Sequence, residues 1–376
     1  MKILYISSSE IPSRKANSLH VMQMAEALSG IGNDVSLLAK KGRSFQNCDP
    51  NEYYRVMNNF DLVRFRHLNI RFIGNLIYSL NIAFRVFRTK KCELIYTRFP
   101  FWSLFFTPKN VPIVYESHAL PNSTFRSYTE KRLLRNQNIS RIVFISNALK
   151  DDYLKLWPWL DESVMFVAPD AAKYPDTKEV NTNSACSIKN VGYVGSFYKG
   201  KAVEILSELI KRCSEITFHL IGDTDCIPQR YAKVFKSKNV IKYGYVRPSE
   251  LPKYYKYFDI ALLPISKSVY GANQKQDISR WTSPLKLFEY MANRKCIIAS
   301  NLPVIQEVLT KDINSLLVDV DDIDGWVNAI VKVASNISFK NKLMDRARAD
   351  FERNFTWEIR AKNIMASLAV VKQKIA

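Results

Sequence analysis

The chain has 376 residues, a length typical of two domains that each have their own hydrophobic core. Hydrophobic residues make up 47% and charged residues 24% of the sequence, as in ordinary globular proteins, and no apolar run reaches the roughly 18 residues of a transmembrane helix. The formal net charge of +20 indicates an anionic partner.

Part of this charge is concentrated in one region. Between Arg55 and Arg141 there are 15 Lys and Arg residues against 4 Asp and Glu residues, a net charge of +11. Nucleic acid, an anionic membrane surface and an anionic substrate are the three alternatives. We expect no nucleic acid, because the chain has no zinc-finger or RNP motif. An anionic membrane is favoured, since each basic residue near it contributes about 1 kcal/mol.

Cysteine and histidine usage points to a cytoplasmic protein without a metal. The six cysteines are scattered with no Cys-x-x-Cys pair, and the four histidines are equally dispersed. This argues against a zinc site and against a disulfide framework. The N-terminal stretch also lacks the apolar segment and cleavage site of a signal peptide. We therefore expect a cytoplasmic location, peripheral on the inner face of the membrane.

The chain begins with a predicted βαβ unit. Lys2–Ser7 reads as a strand, Leu19–Ser29 as a helix and Asp34–Ala39 as a second strand, with a loop over residues 8–18. Ligands bind where the strands of such units end. His20 faces either the ligand or the solvent from the helix surface, and we favour the surface.

An amphipathic helix follows. Its apolar residues alternate at helical spacing with arginines over residues 70–88. We expect the apolar side to pack on the core with a solvated basic side, and the alternative is a helix that lies on a bilayer. The apolar positions are Phe72, Leu76, Leu80, Ala83, Phe84 and Phe87, and the basic ones are Arg71, Arg85 and Arg88.

The segment Pro112–His118 is an apolar strand that ends in Glu116 and His118. Functional groups of parallel sheets stand at strand ends, so His118 is a candidate functional residue, although a lone histidine is more often structural. Residues 120–128 are predicted to form a loop. Further along, Asn190–Ser196 starts a second α/β domain with Gly192 and Gly195, at which backbone can approach a ligand closely.

A second chemically informative stretch runs from Trp281 to Ala292. Ser283 is the predicted N-cap of a helix, with Pro284 at its first position. Lys286 and Glu289 lie three residues apart, so they are neighbours on the helix surface. A lysine in the first turn opposes the helix dipole, and a phosphate ligand at the helix N-terminus would explain it. A surface ion pair is the alternative.

The run Ser283-Pro-Leu-Lys-Leu-Phe-Glu-Tyr-Met-Ala292, followed by Cys296-Ile-Ile-Ala-Ser300 and Leu302-Pro-x-Ile-x-Glu307, resembles the nucleotide-sugar site of family 4 glycosyltransferases. That resemblance implies the GT-B fold, in which two facing doubly wound Rossmann-like α/β domains leave a cleft between them. The implied boundaries are an acceptor-side domain over 1–172, a linker over 173–190 and a nucleotide-sugar domain over 191–357. A C-terminal helix over 358–376 would return to the first domain.

The same resemblance implies roles for particular residues. Glu289 would hold the donor ribose, Lys286 and Lys201 would contact the diphosphate, and His118 would lie near the reacting sugar. Trp281 stands where the Glu-x(7)-Glu motif of the family has its first glutamate. The other implied donor-binding residues are Ala16 and Asn17 in place of a glycine-rich loop, Gly195, Ser196, Lys199, Tyr245, Arg280, and the residues Ser283, Pro284 and Leu285 at the helix N-terminus, where free backbone N–H groups would face the donor.

The implied reaction is transfer of a sugar from a nucleoside-diphosphate sugar to an acceptor hydroxyl, with retention at the anomeric carbon and without a metal or another cofactor. A glycan or lipid-linked acceptor in cell-envelope polysaccharide assembly is the expected context. The alternative is a catalytically inactive homologue that serves as a binding or partner subunit, because Trp281 and the missing glycine-rich loop depart from the family pattern.

Overall fold

The computed structural model describes residues 1–43, 48–67, 70, 73–89, 92–175, 189–197, 203–269 and 276–375. The chain divides into two compact units, the first formed by Met1–Pro169 and Trp357–Ala376 and the second by Asp170–Thr356. The first unit therefore ends three residues before the expected boundary at 172. Most of the expected linker, residues 176–188, lies outside the described residues.

The first unit is built on a seven-stranded parallel sheet. Its strand order is β3-β2-β1-β4-β5-β6-β7. The strands are β1 (Lys2–Ile11), β2 (Asp34–Lys41), β3 (Asp61–Phe65), β4 (Leu94–Thr97), β5 (Ile113–Ser117), β6 (Ile139–Phe144) and β7 (Met165–Val167). The helices are α1 (Ala16–Gly30), α2 (Pro50–Tyr54), α3 (Ile73–Arg88), α4 (Thr124–Leu134), α5 (Asn147–Leu156) and the C-terminal α11 (Trp357–Ile375).

The central strands are apolar runs because helices cover both faces of the sheet. Every residue of β4 and β5 is buried. The strand order reverses between β1 and β4, and ligands of open α/β sheets bind at such a switch point, outside the carboxyl ends of the strands.

The connection from β1 to α1 differs from the expected long loop. β1 continues to Ile11 and α1 begins at Ala16, so only residues 12–15 connect them. Ala16 and Asn17 consequently lie exposed on the first turn of the helix. The placement of His20 on a helix surface was wrong: its side chain is 2% exposed, because α1 is covered by the sheet and also by α11.

The expected packing of α3 was also wrong. The helix exists, but it buries Tyr78, Ile82 and Val86, whereas Phe84 and Phe87 are 60% and 66% exposed. We call the outward apolar surface of this helix the exposed face of α3, formed by Ile73, Leu76, Ile77, Leu80, Phe84 and Phe87. Of the apolar residues expected inside, Ala83 is buried and Phe72 lies outside the described residues.

The expected loop over residues 120–128 is shorter in the structure. The Ser123 hydroxyl accepts a hydrogen bond from the backbone N–H of Arg126 at 3.3 Å and caps α4, which therefore begins at Thr124. No helix in the described part of the chain combines the length and the apolar character needed to cross a bilayer.

The second unit is a six-stranded parallel sheet with the order β10-β9-β8-β11-β12-β13. Its strands are β8 (Asn190–Val194), β9 (Thr217–Ile221), β10 (Val240–Gly244), β11 (Ile260–Leu263), β12 (Cys296–Ser300) and β13 (Leu316–Val318). Its helices are α6 (Val203–Arg212), α7 (Leu285–Ala292), α8 (Pro303–Gln306), α9 (Ile323–Ser335) and α10 (Ile337–Asn354).

Read from β8 outward, this is the 3-2-1-4-5-6 order of dinucleotide-binding sheets, with the switch point between β8 and β11. One hydrophobic cluster packs α6 and α9 against the sheet, and a second contains the buried side of α7. The predicted fold class, two doubly wound α/β units, is confirmed. Gly192 packs against the Phe258 ring, because a Cβ atom there would lie 2.4 Å from it.

Candidate active site

The N-terminus of α7 is the first part of the candidate site. Pro284, in extended conformation (φ −76°, ψ 120°), occupies the N-cap position, and no side chain caps the helix. The prediction of Ser283 as N-cap was therefore wrong by one residue. Its hydroxyl instead accepts a hydrogen bond from the backbone N–H of Asp170 at 3.0 Å. The first turn of α7 thus retains backbone N–H groups without a side-chain cap, which suits an anion.

Lys286 and Glu289 form the predicted pair on the surface of α7. The Lys286 Nζ atom lies 2.7 Å from Glu289 Oε2, and both side chains are partly exposed. The Tyr255 hydroxyl donates a hydrogen bond to the same carboxylate oxygen. Burial and the neighbouring Glu289 carboxylate raise the pKa of Tyr255 well above its usual value, so this hydroxyl keeps its proton. The Glu289 carboxylate therefore has one buried partner, Tyr255, and one partly exposed partner, Lys286.

This pair lies at the switch point of the second sheet. Gly195 directly follows β8, and α7 follows β11, the strand beside it. The Tyr290 hydroxyl on α7 accepts a hydrogen bond from the backbone N–H of Val194 at 2.9 Å, which ties the helix to the end of β8. The structure therefore brings the predicted residues Gly195 and Ser283–Glu289 to one edge of the sheet.

The other predicted donor residues are more scattered. The Ser196 carbonyl accepts a hydrogen bond from Tyr193, Tyr245 is partly buried and Arg280 is exposed. Trp281 is buried at 7% exposure, so the residue that replaces the missing glutamate packs inside the unit. Lys199 and Lys201 lie outside the described residues.

A second charged cluster occupies the switch point of the first sheet. Glu116, at the end of β5, is completely buried. Its Oε1 atom lies 2.5 Å from His118 Nε2 and 2.8 Å from His20 Nε2, and the two imidazole rings pack edge to face at 4.8 Å. The burial of His20 places it beside the predicted functional histidine.

Two arginines neutralise this cluster. Arg360, on α11, lies with Nη2 3.3 Å from Glu116 Oε1, and Arg98, just after β4, lies with Nε 3.9 Å from the same oxygen. The Tyr96 hydroxyl donates to Oε2. Although burial opposes ionisation, the guanidinium of Arg360, with His20 and His118, holds the pKa of Glu116 well below its usual value. Glu116 is therefore an ionised carboxylate.

The surroundings of His118 favour its uncharged form, whereas those of Glu116 favour the charged form. Burial and the Arg98 guanidinium lower the pKa of His118 to about 4, against the pull of the Glu116 carboxylate. The ring is consequently neutral at pH 7. A neutral ring that donates its proton from Nε2 to this carboxylate keeps a lone pair on Nδ1. The side chain is 25% exposed, so a ligand can reach it.

His20, Glu116 and His118 have donor types that bind transition metals, and their ligand atoms lie within 4.8 Å of one another. Arg360 and Arg98 place two guanidinium groups beside the oxygen that a metal would need. The positive charge required by Glu116 is thus supplied by the protein itself.

The sequence did not reveal Arg360 or the partners of Glu116. The two residues are 244 positions apart and meet because α11 packs on α1, beside the carboxyl edge of the sheet. No local periodicity connects them. For this cluster, the pattern visible in the sequence was a glutamate two residues before a histidine at the end of a predicted strand.

Comparison with known proteins agrees with this architecture. The family described as Glycosyltransferase Family 4 matches residues 18–169, and the one described as Glycosyl transferases group 1 matches residues 188–336. The chain belongs to these glycosyltransferases, has the GT-B fold and is an enzyme of that class.

Three individual proteins are informative. An uncharacterized 41.2 kDa protein in the cps region of Klebsiella pneumoniae is 28% identical over 305 residues, covering 77% of this chain and 74% of the relative. TuaH of Bacillus subtilis, described as a putative teichuronic acid biosynthesis glycosyltransferase, is 29% identical over 114 residues, or 30% of this chain and 27% of TuaH. The structure of Anabaena HepE in complex with UDP and glucose superposes with a TM-score of 0.70 at 15% identity, covering 98% of this chain and 99% of HepE.

Proposed function

We propose that this enzyme transfers a sugar from a nucleoside-diphosphate sugar to an acceptor hydroxyl, with retention at the anomeric carbon and without a metal. The observation that carries the proposal is the Lys286–Glu289 pair on the uncapped first turn of α7, at the switch point of the second sheet. HepE, a neighbour in fold, was solved with UDP and glucose, which supports a nucleotide donor of this kind.

The pair would open when the donor binds. Lys286 would turn from Glu289 to the diphosphate, where a lysine–phosphate contact at about 4 Å is worth about 4 kcal/mol of Coulomb energy before desolvation. The Glu289 carboxylate, still held by Tyr255, would then accept hydrogen bonds from the ribose hydroxyls. Binding thus exchanges one ion pair for two sets of ligand contacts.

The same groups would assist the chemistry. As the bond to the diphosphate breaks, negative charge develops on its oxygens, and fixed positive groups stabilise that charge more than they stabilise the ground state. Lys286 and the N–H groups at the start of α7 would supply this stabilisation. Lys201 would add a second cation, with Lys199 as the alternative. His118 would lie near the transferred sugar or the acceptor.

Release of nucleoside diphosphate from a panel of sugar donors tests this proposal, with water as a slow acceptor and with EDTA in a parallel series. We expect release from one donor class, no effect of EDTA, and a first-formed sugar with the anomeric configuration of the donor in proton NMR spectra. Inversion would overturn the retaining mechanism, and loss of activity in EDTA would overturn metal independence. Donor binding without any release would favour the inactive partner subunit.

We further propose that the acceptor is a glycan or lipid-linked glycan and that the enzyme works peripherally on the inner, cytoplasmic face of an anionic membrane. The exposed face of α3 presents six apolar side chains to solvent. Arg85 and Arg88 lie in the last turn of the same helix, with the Arg88 guanidinium 5.3 Å from the Phe84 ring centre. Apolar side chains beside arginines are the composition of a helix that lies in a lipid interface.

Co-sedimentation with vesicles tests this surface. We expect binding to vesicles that contain phosphatidylglycerol at low salt, weaker binding at 0.5 M salt, and a loss of about 100-fold in affinity when Phe84→Ser and Phe87→Ser are combined, at about 1.5 kcal/mol for each ring. Ile313→Ser with Val331→Ser, two exposed apolar positions of the second unit, is the matched control. Equal binding by both double variants would exclude α3 as the contact.

A further inference from the structure

The carboxylate of Glu116 is saturated with partners. Oε1 lies within 3.3 Å of nitrogens from His118, His20 and Arg360, and Oε2 accepts the Tyr96 hydroxyl. A buried carboxylate persists only when its charge is paired and its lone pairs are satisfied. Four neighbouring residues are therefore arranged around one group that itself has no access to a substrate.

We propose that Glu116 and Arg360 are positioning residues for His118: the carboxylate, whose charge Arg360 balances, keeps the ring proton of the neutral imidazole on Nε2, so that Nδ1 accepts a hydrogen bond from a hydroxyl of the transferred sugar or the acceptor. This inference rests on the proposed sugar transfer and assigns the part of the site in the first unit. Glu116 acts only through His118, since its own side chain is completely buried.

The charges around His118 support this state. Arg98 approaches from the end of β4, Arg360 from α11, Glu116 from β5 and His20 from α1. A second proton on His118 would add a cation to a site that already holds two guanidinium groups and one carboxylate. The neutral ring adds no charge, and the ionised carboxylate selects which nitrogen bears the proton.

Arg360 also joins this cluster to the places where the chain changes units. Its guanidinium donates to the carbonyls of Ala168 at 3.1 Å and Pro169 at 2.9 Å, the last residues before the chain leaves the first unit. Trp357, the first residue on its return, packs edge-on against His20 at 4.9 Å. The first turn of α11 therefore contacts His20 through Trp357 and the Glu116 partner of His118 through Arg360. These contacts give the C-terminal helix a role in the site.

The wild-type protein allows a direct test that does not depend on activity. Two-bond nitrogen–proton NMR correlation on protein labelled with 15N-histidine distinguishes the two neutral tautomers and the imidazolium. The chain has only four histidines, and the His118→Gln variant assigns the signal. We expect His118 to remain neutral with the proton on Nε2 from pH 5.5 to 8. A proton on Nδ1, or an imidazolium at pH 7, would overturn the inference.

Glu116→Gln tests the effect on turnover. The amide keeps the shape of the side chain but can donate to Nε2 of His118, which moves the ring proton to Nδ1. We expect kcat to fall about 100-fold, the scale of a misplaced acid–base group, with nucleotide affinity within about twofold of wild type. Arg360→Lys should retain most of the kcat that Arg360→Gln loses, because the lysine keeps a cation near Glu116.

Glu130→Gln is a matched control. Glu130 is a buried carboxylate of the same unit that contacts Arg126 at 3.4 Å and the Tyr153 hydroxyl, but its described partners include no histidine. We expect near-normal kcat for this variant. A folded Glu116→Gln protein with wild-type kcat would overturn the positioning role. If wild type releases no diphosphate from any donor, the proposed function fails instead, and the NMR spectrum still decides the tautomer.

Discussion

The two charged clusters of this glycosyltransferase differ in how their charges are balanced. In the first unit, the Glu116 carboxylate is buried and its charge is met by fixed arginines and histidines. In the second unit, Lys286 and Glu289 balance each other on a helix surface and are partly exposed. The first arrangement is buried and held by several fixed partners, whereas the second is a single ion pair that a ligand can reach.

We interpret this difference as two tasks within the proposed sugar transfer. Orienting a neutral histidine requires fixed geometry, because a rotated ring or a moved ring proton changes which nitrogen can accept a hydrogen bond. Holding a diphosphate that later departs requires groups that can change partners. Substitutions in the first cluster should therefore change stability and turnover, and substitutions in the second should change donor binding and turnover while the protein remains folded.

The largest effect is expected from Lys286→Ala. We predict a loss of about 1,000-fold in kcat/KM for the donor, because the leaving diphosphate loses a cation and meets an unneutralised Glu289. Steady-state release of nucleoside diphosphate measures it. Lys211→Ala is the matched control, since Lys211 forms the same kind of i,i+3 pair with Glu208 at 2.6 Å on α6. Comparable losses in the two variants would remove the special role of Lys286.

Among these substitutions, Arg360→Ala should lower the free energy of unfolding most. We predict that the free energy of unfolding falls by about 3 kcal/mol, because the substitution leaves Glu116 buried without its nearest guanidinium. Urea denaturation followed by circular dichroism measures the change. Arg346→Ala, which removes an exposed i,i+4 pair with Asp350, should cost less than about 1 kcal/mol. A similar small cost for Arg360 would show that the cluster is not preorganised by this charge.

Glu289→Gln tests whether the carboxylate of the second cluster binds the donor ribose. We predict a loss of about 100-fold in kcat/KM, expressed mainly as a higher donor KM, because ribose hydroxyls lose a charged acceptor. The amide still accepts a hydrogen bond from Tyr255, so the fold should be unchanged. Glu208→Gln on α6 is the control. An unaltered donor KM would contradict the assignment of Glu289 to the ribose.

The smallest effect concerns pH. The pKa of His118 is about 4 in the folded protein and about 6.5 in an unfolded chain, so the unfolded state binds more protons between these values. The free energy of unfolding should therefore decrease as pH falls from 7.5 to 5, by about 2 kcal/mol from this group. Urea denaturation at both pH values should show a smaller decrease in His118→Gln than in wild type.

His219→Gln provides the comparison for this measurement. Burial also lowers the pKa of His219, but this residue bonds Tyr243 and Asn190 in the second unit. Its loss should leave the contribution of His118 to the pH dependence in place. If His118→Gln and wild type lose stability equally between pH 7.5 and 5, His118 is not held neutral.

Local patterns in the sequence were sufficient for the second cluster. Lys286 and Glu289 are three residues apart, so helical periodicity alone predicts their contact, and the structure confirms it at 2.7 Å. The predicted N-cap of α7 was wrong, because the Ser283 hydroxyl bonds a backbone N–H 113 residues away and does not cap the helix.

The first cluster could not be predicted in the same way. His20, Glu116 and Arg360 come from three distant parts of the chain, and only the packing of α1 and α11 beside the sheet brings them together. Periodicity likewise identified α3 but not its buried side, because apolar residues occur on both sides: Tyr78 and Ile82 face inward, Phe84 and Phe87 outward. Which side is covered is decided by tertiary packing.

Thermal and urea unfolding in the presence of nucleoside diphosphates, without metal, tests the central claim most directly. A ligand at 100 times its dissociation constant should raise the free energy of unfolding by about 2.7 kcal/mol. We predict this stabilisation with one nucleoside diphosphate, its retention in Lys211→Ala and its loss in Lys286→Ala. Stabilisation by no nucleoside diphosphate, or equal stabilisation of Lys286→Ala, would contradict a donor site at the start of α7.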